Sequence, residues 1–472
     1  MNARQIAEKM RTGRTRKEVM ASARSLAAMG RHGADAIPLL ADILWEGNPV
    51  HASAAAFVLS EFGASALRVK PDLIDTFRRQ MSHGDADVRQ WSAVAIARLG
   101  DRGAEALPEL VAALSDSDAG VRMTCVYAVG ALKPDELEVT EALIHAARDE
   151  SSDVRSAVLQ SLSEIESGDP RIESVLCHGL RDPVATVRVH AAQGLARWPV
   201  ALGKTVEGLL IALSDPVVEV RSSVLEAVSR LPLDRPVHVE CVARCLSDSA
   251  ADVRRKAAQA LQRLGRVGVA ALPHLLAALA DGEPAVRLFA LEALEGLAAA
   301  QKSMIPAIQI AVNNRLCDPH PLVQVRAMKA LGRLSAVGMP VNPRLLQALT
   351  DEDSELRAAA VEALGRLGDD SMEVVAAIQQ RCVDYDASVR VAACGALISL
   401  GAPLDLVCPV LAECLRHHDV KVQIEALEAV KQMGMDAVEL KDLLEQKTGD
   451  STMAVRRLAH DILESLAAPL LE

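Results

Sequence analysis

The side chains most able to do chemistry in this sequence are an Arg and an Asp that recur together every 33 residues. The Arg usually follows Val, as in Val187-Arg188 and Val253-Arg254, and the Asp lies six residues before the Arg. A guanidinium offers five N–H donors in a fixed fork, and a carboxylate accepts turn amides or charged donors. The pattern suits either structural hydrogen bonds or a track of arginines that binds anions. Because the residues recur in step with the apolar pattern, we favour the structural interpretation.

The repeat can be counted by taking this Arg as position zero. Gln324 and Gln423 occupy the position in two copies, and Val19 and Ala52 occupy it in two degenerate upstream copies, which gives fourteen repeats. Two intervals, 52–89 and 287–324, are four residues longer than the rest. We predict that these insertions lie in loops or lengthen a helix by one turn. From 89 onward, position zero is Arg or Gln and falls at residues 89, 122, 155, 188, 221, 254, 287, 324, 357, 390, 423 and 456.

Two helices must position these residues in each repeat. Small or apolar residues follow position zero at helical spacing, as in Ala360, Ala363, Leu364 and Leu367. Gly368 then ends this helix. A second apolar segment precedes the Asp, which we interpret as turn and N-cap chemistry. Pro recurs fourteen residues before position zero, in the first turn of that segment. Its positions are Pro38, Pro108, Pro273, Pro343 and Pro409.

The composition predicts an all-α fold, an α-solenoid of about fourteen helical hairpins. Half of the 472 residues are apolar but only 2% are aromatic, so the core must be built from Ala, Leu and Val. A fixed 33-residue period indicates one continuous solenoid over 1–472, with a basic N-terminal capping repeat at 1–35 and a C-terminal capping repeat at 436–472. No apolar run is long enough to span a bilayer. The nine cysteines show no paired spacing, which favours reduced thiols, and the first residues are charged throughout, so we predict a cytoplasmic protein.

The net charge of −12 is distributed unevenly along the chain. Residues 1–31 hold eight bases and two acids, whereas residues from 351 onward hold 23 acids and 11 bases. The acidic total argues against nonspecific nucleic-acid binding. The basic start could contact anionic lipid or nucleic acid, but a solvated cap on the first repeat is the simpler interpretation.

The repeat resembles the HEAT repeat, and most closely the bacterial HEAT-like subclass first described in phycobilisome lyases. Asp182-Pro183 through Val187-Arg188, and Val253-Arg254 through Leu264-Gly265, follow its pattern. The resemblance implies that each Arg bonds to the Asp of a neighbouring turn and to exposed carbonyls, which forms a ladder along the stack. The residues of this structural ladder are Asp116, Arg122, Asp149, Arg155, Asp182, Arg188, Asp215, Arg221, Asp248, Arg254, Asp281 and Arg287.

Two positions of the second helix, counted from position zero and compared across the repeats, are candidates for partner binding. Position +9 is often Arg and would form a discontinuous positive stripe for an acidic partner, although a solvated helix end is the simpler explanation. Position +2 carries bulky residues that could anchor a partner on the concave face, which second helices line in HEAT arrays, or could pack in the core. The candidate partner-binding residues are Trp91, Arg98, His190, Arg197, Arg230, Arg263, Phe289, Arg333 and Arg366.

Catalytic and cofactor signals are absent from the sequence. No phosphate-binding, nucleotide-binding, hydrolase or zinc-protease motif occurs, and we predict neither a metal nor a cofactor. His238, Cys241 and Cys245 share one helical face, but no fourth zinc ligand is evident. We therefore expect a non-catalytic scaffold that binds one or more proteins along its concave face. The alternatives are an accessory or phycobilin-lyase-like subunit that acts on a partner protein, and a consensus-like or engineered array.

Overall fold

The computed structural model describes residues 1–132, 137–165, 169–198, 203–231, 233, 235–264, 269–334 and 340–467. Its regular elements in these ranges are all helices, which confirms the all-α solenoid. In the described part of the chain, no helix is both long and apolar enough to cross a lipid bilayer. The contacts divide the chain into two compact units, Met1–Leu231 and Pro232–Glu472.

The first unit contains fifteen helices in its described ranges. Seven pairs are hairpins of a first and a second helix, and α5 is an additional short helix. The helices are α1 (Ala3–Thr12), α2 (Arg16–Ala28), α3 (Ile37–Glu46), α4 (Pro49–Phe62), α5 (Ser65–Val69), α6 (Leu73–Gln80), α7 (Ala86–Arg98), α8 (Leu107–Ala112), α9 (Ala119–Leu132), α10 (Leu137–Ala146), α11 (Ser152–Glu164), α12 (Pro170–Gly179), α13 (Ala185–Arg197), α14 (Gly203–Ala212) and α15 (Val218–Val228).

The second unit contains seven further hairpins in its described ranges. Together the two units hold the fourteen hairpins that the register of the repeat predicts. The helices are α16 (Pro236–Arg244), α17 (Ala251–Leu264), α18 (Leu272–Ala278), α19 (Pro284–Ala300), α20 (Ile305–Asn313), α21 (Pro321–Leu334), α22 (Pro343–Ala348), α23 (Ser354–Leu367), α24 (Met372–Gln379), α25 (Ala387–Ser399), α26 (Cys408–Leu415), α27 (Val420–Gln432), α28 (Lys441–Lys447) and α29 (Met453–Ala467).

The ends of the helices follow the residues that recur in the sequence. Each recurrent Pro lies in the first turn of a first helix, as Pro273 does in α18. Left-handed glycines end or follow the second helices, with φ of 63° at Gly100 and 69° at Gly368. Gly265, which holds the same position, lies outside the described residues. Because an L side chain is strained at positive φ, glycine sets these helix ends.

The recurrent Asp holds the turn between the two helices and is not the N-cap. The Asp149 carboxylate accepts the N–H of Ser151, two residues ahead, at 2.8 Å. The cap lies closer to the helix, as where Asp386 accepts the N–H groups of Ser388 and Val389 before α25. The N-cap interpretation of the recurrent Asp was therefore wrong, because its carboxylate is used for the turn amide and for the contact with Arg.

The two insertions take different forms. The first lies in the link that contains α5, before α6. The second lengthens a second helix: α19 has 17 residues, whereas α17 has 14. Three extra residues are close to one helical turn, so this insertion largely preserves the face that α19 presents to its neighbours.

Candidate functional site

The arginine–aspartate ladder is a series of bidentate ion pairs between successive hairpins. Arg122 donates from Nε and Nη2 to the two carboxylate oxygens of Asp149, at 2.7 and 2.8 Å. Its Nη1 donates to the carbonyl of Asp116 at 2.8 Å. One guanidinium thus joins two consecutive turns. The same bidentate geometry occurs in Arg89–Asp116, Arg155–Asp182, Arg188–Asp215, Arg254–Asp281, Arg287–Asp318 and Arg357–Asp384.

The remaining two residues of the predicted ladder lie at the ends of the two units. Arg221 donates to the carbonyl of Asp215 at 2.8 Å within the first unit. The Asp248 carboxylate accepts the N–H of Ala250 at 2.8 Å within the second unit. Both residues therefore stabilise the turn of their own hairpin.

Burial and hydrogen bonding act against each other on the ladder carboxylates. At Asp384 burial alone would raise the carboxyl pKa, but the hydrogen bonds from Arg357 and from the N–H of Asp386 outweigh it and hold the pKa below its ordinary value. The side chains of Arg357 and Asp384 are each only 2% exposed. The guanidinium donors are thus directed at protein acceptors, and the ladder has a structural role instead of forming an anion track.

The ladder is interrupted where the repeat departs from its pattern. The Gln324 side chain donates to the carbonyl of Asp318, at 2.5 Å, and no carboxylate contacts it among the described residues. At Gln423 a lysine takes over: Lys447 Nζ lies 3.1 Å from Gln423 Oε1 and 3.0 Å from Asp450 Oδ2. Lys447 therefore replaces the missing guanidinium at Asp450, whereas no Lys or Arg contacts the carboxylate of Asp351 among the described residues.

The +9 arginines are exposed, but most of them are paired. Arg98 contacts Glu61 at 2.5 Å and Arg333 contacts Glu295 at 3.1 Å, each across neighbouring second helices. Two more pair with the carboxylate one turn before them, Arg230–Glu226 at 3.4 Å and Arg366–Glu362 at 2.8 Å. These carboxylates offset much of the positive charge of the predicted stripe.

Arg197 is an exposed +9 arginine without a carboxylate partner in the described structure. It lies at the end of α13. Arg263, at the end of α17, has a polar or electrostatic interaction.

The +2 residues are partly buried against neighbouring second helices. The Trp91 ring meets Phe57 of α4 edge to face, with the ring centroids 4.8 Å apart. His190 Nδ1 lies 2.8 Å from the carbonyl of Thr186 in its own helix. Phe289 of α19 is also half-buried. Trp91 thus contributes to packing between helices while it keeps an exposed edge.

A groove with a volume of about 550 Å³ crosses four consecutive second helices of the second unit. Its floor is α25, where Ala392, Gly395 and Ser399 occupy positions +2, +5 and +9. The same positions of the next helix, α27, carry Glu425, Glu428 and Gln432, which form one wall. The groove therefore exists because one helix has small side chains where its neighbours have long ones.

The groove carries more negative than positive charge. Five carboxylates and three bases line it, and two of these bases are paired, Arg366 with Glu362 and Lys421 with Glu425. Glu355 and Glu428 are exposed, and no ion pair to either occurs among the described residues. Arg366 could be predicted from the repeat, but the floor could not, because it depends on how the small side chains of α25 differ from those at the same positions of the neighbouring repeats.

Two further predicted features have limited chemistry. His238 is buried and lies on α16 with Cys241, whereas Cys245 follows the end of that helix, and the described residues contain no group of three His, Cys, Asp or Glu side chains that could hold a metal ion. At the N-terminus the eight bases are exposed, and Arg16 pairs with Asp87 at 2.9 Å.

The repeat matches a known protein family. The family described as HEAT repeats matches seven overlapping segments, which cover most of the chain. They are residues 37–130, 73–163, 107–196, 173–262, 206–295, 308–384 and 342–431. The chain belongs to the HEAT-repeat family. The match does not single out the phycobilisome-lyase-type subclass, so that finer assignment stays a prediction.

Solved HEAT-repeat structures share the fold at low sequence identity. Kap121p is 15% identical with a TM-score of 0.57, and the match covers 98% of this chain and 56% of Kap121p. Importin beta is 14% identical with a TM-score of 0.59, and the match covers 98% of this chain and 72% of importin beta. Another structure shows Kap121p bound to Nup53p. A search of curated protein sequences finds no match to this HEAT-repeat chain.

Proposed function

We propose that this HEAT-repeat protein is a non-catalytic, cytoplasmic scaffold that binds a partner protein in the groove across α21, α23, α25 and α27. The observation that carries the proposal is the floor of small side chains on α25 between long polar side chains on α23 and α27. Such a depression admits side chains of a partner that a uniformly filled helix face would exclude. The structures of Kap121p with bound proteins support the use of this fold for protein binding.

The charge of the groove favours a partner segment that carries Lys or Arg. Glu355 and Glu428 project from opposite sides of the floor without an ion pair in the described structure. Complementary charges increase the association rate and select among partners, while a few anchors in the groove set the affinity. An acidic partner, which the +9 arginines suggested, would meet the excess of carboxylates here.

The floor can be tested with two substitutions at one glycine. A Cβ at Gly395 would meet only Gln432 Oε1, at 3.7 Å, so Gly395→Ala leaves the groove open and Gly395→Trp fills it. We expect affinity purification followed by mass spectrometry to recover a stoichiometric partner with the wild-type and Gly395→Ala proteins but not with Gly395→Trp. Recovery of the same proteins with Gly395→Trp would refute the groove as the binding site.

The sign of the charge needs a separate pair of variants. We expect Glu355→Lys with Glu428→Lys to weaken binding of the recovered partner by about tenfold or more, since two favourable contacts become repulsive. Glu373→Lys with Asp405→Lys is the control, because both carboxylates are exposed outside the groove. Loss of binding with Arg366→Glu, together with unchanged binding in the Glu355 and Glu428 variant, would instead identify an acidic partner.

A further inference from the structure

A second cavity lies on the first helices of the other unit, with a volume of about 350 Å³. Residues of α10, α12 and α14 surround it, and Leu159 and Val187 of the second helices line its apolar part. Its mouth carries Arg148, Arg181 and Lys204, all exposed. We refer to this cavity as the cationic pocket.

The repeat explains why the arginines converge. Arg148 and Arg181 both lie seven residues before position zero, so the 33-residue period places them at equivalent points of adjacent hairpins. In the other five repeats of the first unit this position is uncharged and is occupied by Thr12, Trp45, Ser82, Ser115 and Ser214. The positive charge is therefore a local departure from the repeat and not a property of every turn.

The charge of the cationic pocket is uncompensated within the described structure. No carboxylate lies within ion-pair distance of Arg148, Arg181 or Lys204 among the described residues. Asp182 is the one acid in the lining, and its carboxylate is engaged by Arg155 at 2.7 Å. In a chain with a net charge of −12, three unpaired bases around one cavity form a distinct positive centre.

We propose that the cationic pocket binds a phosphate group that carries at least two negative charges. Two guanidinium forks and an ammonium match the several acceptor oxygens and the charge of such a group, and Arg recognises phosphate in a bidentate manner. The cavity is in the size range of small-ligand sites. Because it lies on first helices of the other unit, this site is independent of the proposed scaffold groove.

The pocket is suited to binding and not to covalent chemistry. Its thiol, Cys177, lies 3.2 Å from the Thr205 hydroxyl, and burial raises the thiol pKa. Cys177 is therefore protonated at neutral pH and is a poor nucleophile. Thr205 in turn hydrogen-bonds to Glu173, which keeps the hydroxyl turned toward protein.

Calorimetry on the full chain with inorganic pyrophosphate, at about 0.15 M salt to screen nonspecific attraction, tests the proposal. We expect saturable binding to the wild-type protein, weakened about tenfold or more in an Arg148→Ala, Arg181→Ala double variant. The matched control is Arg24→Ala with Arg31→Ala, which removes the same charge from exposed positions of the first unit outside the pocket. Because all four arginines are exposed, far-UV circular dichroism should show an unchanged fold in both variants.

The source of the phosphate is decided by a second titration with a phosphoserine peptide and its unphosphorylated form. Tighter binding of the phosphopeptide than of pyrophosphate assigns the pocket to a modified protein, and the reverse order assigns it to a free phosphate compound. The proposal is overturned if neither probe binds, or if the pocket variant and the control variant lose affinity equally.

Discussion

At the scale of single residues, the arginine at position zero donates to a carboxylate and to turn carbonyls, and two repeats differ in which of these partners they have. Arg357 contacts a carboxylate, two carbonyls and the Tyr385 ring, whose centroid lies 4.2 Å from Cζ. Arg390 keeps the carbonyl contacts, but His417 stands where the next Asp would be. The pair therefore separates the contribution of the carboxylate from that of the turn carbonyls.

Removing Arg357 should cost much more than removing Arg390. Arg357→Ala removes the bidentate partner of the buried Asp384 and leaves it a longer contact with Arg381, at 3.5 Å, so we expect the free energy of opening at α23 and α25 to fall by about 3 kcal/mol. Arg390→Ala loses neutral carbonyl contacts and a long contact with an exposed Glu413, for a loss of about 1 kcal/mol. Hydrogen exchange at the amides of these helices measures both losses. Equal losses would show that the carboxylate contributes little.

The interrupted ladder at Gln324 allows the opposite experiment. Asp351 lies 27 residues after Gln324, the separation found in most ion pairs of the ladder. Gln324→Arg should therefore form a new pair with Asp351 and stabilise the hairpins around α21 and α23 by about 1 kcal/mol. The gain should disappear in an Asp351→Asn background. A gain that persists there would have to come from another contact of the new guanidinium.

At the scale of helices, small residues set the distance between neighbouring second helices. A Cβ at Gly365 would lie 2.6 Å from Ala396 Cβ, and a Cβ at Gly332 would lie 3.0 Å from Ala363 Cα. Both glycines lie eight residues after position zero and face the small +6 residue of the next helix. This contact allows a close approach that a larger side chain on either helix would prevent.

Two glycine substitutions on adjacent helices should have opposite effects. Gly365→Ala forces α23 away from α25, so we expect a loss of about 1–3 kcal/mol. Gly395→Ala has free space and removes a helix-destabilising glycine, so we expect a gain of about 0.5–1 kcal/mol. Thermal unfolding of the two variants beside the wild-type protein gives both signs. A stabilised Gly365→Ala variant would show that the helices are not limited by this contact.

The features that could be predicted from sequence are those that repeat. The period, the left-handed glycines and the first-turn prolines each depend on local backbone chemistry, so the hairpins follow directly from them. The groove and the cationic pocket depend on departures from the repeat, at Gly395 or Arg148, and on what the adjacent hairpins carry. The two consecutive arginines, Arg148 and Arg181, at a position that is Ser in the repeats on either side were a signal in the sequence, but they become a site only when the hairpins are placed side by side.

At the scale of the whole molecule, the ladder makes many carboxylates respond to pH together. At Asp116 and Asp215 burial would raise the carboxyl pKa, but the Arg and backbone hydrogen bonds outweigh it, so each pKa lies below the ordinary 3.8. A lowered pKa contributes stability above the unfolded value, and that stability is lost as pH falls through the folded pKa.

The stabilising contribution of the ladder carboxylates should therefore be complete and independent of pH near neutrality, and stability should fall steeply below about pH 4. Several protons are taken up together, which makes the acid transition steep. We expect denaturant titrations between neutral pH and about pH 3 to show this loss, and an Arg357→Ala variant to show a smaller one. An equally steep decline in a variant without several ladder arginines would assign the acid sensitivity to other carboxylates.

The interruption at Gln324 has a mechanical consequence. The two boundaries that flank it are each joined by a bidentate Arg–Asp pair, whereas the turns at Asp318 and Asp351 are joined through helix packing without such a pair in the described structure. Under tension this boundary should yield before the two that flank it. Optical-tweezer extension should then show an early, low-force step in the wild-type protein that moves to higher force in Gln324→Arg.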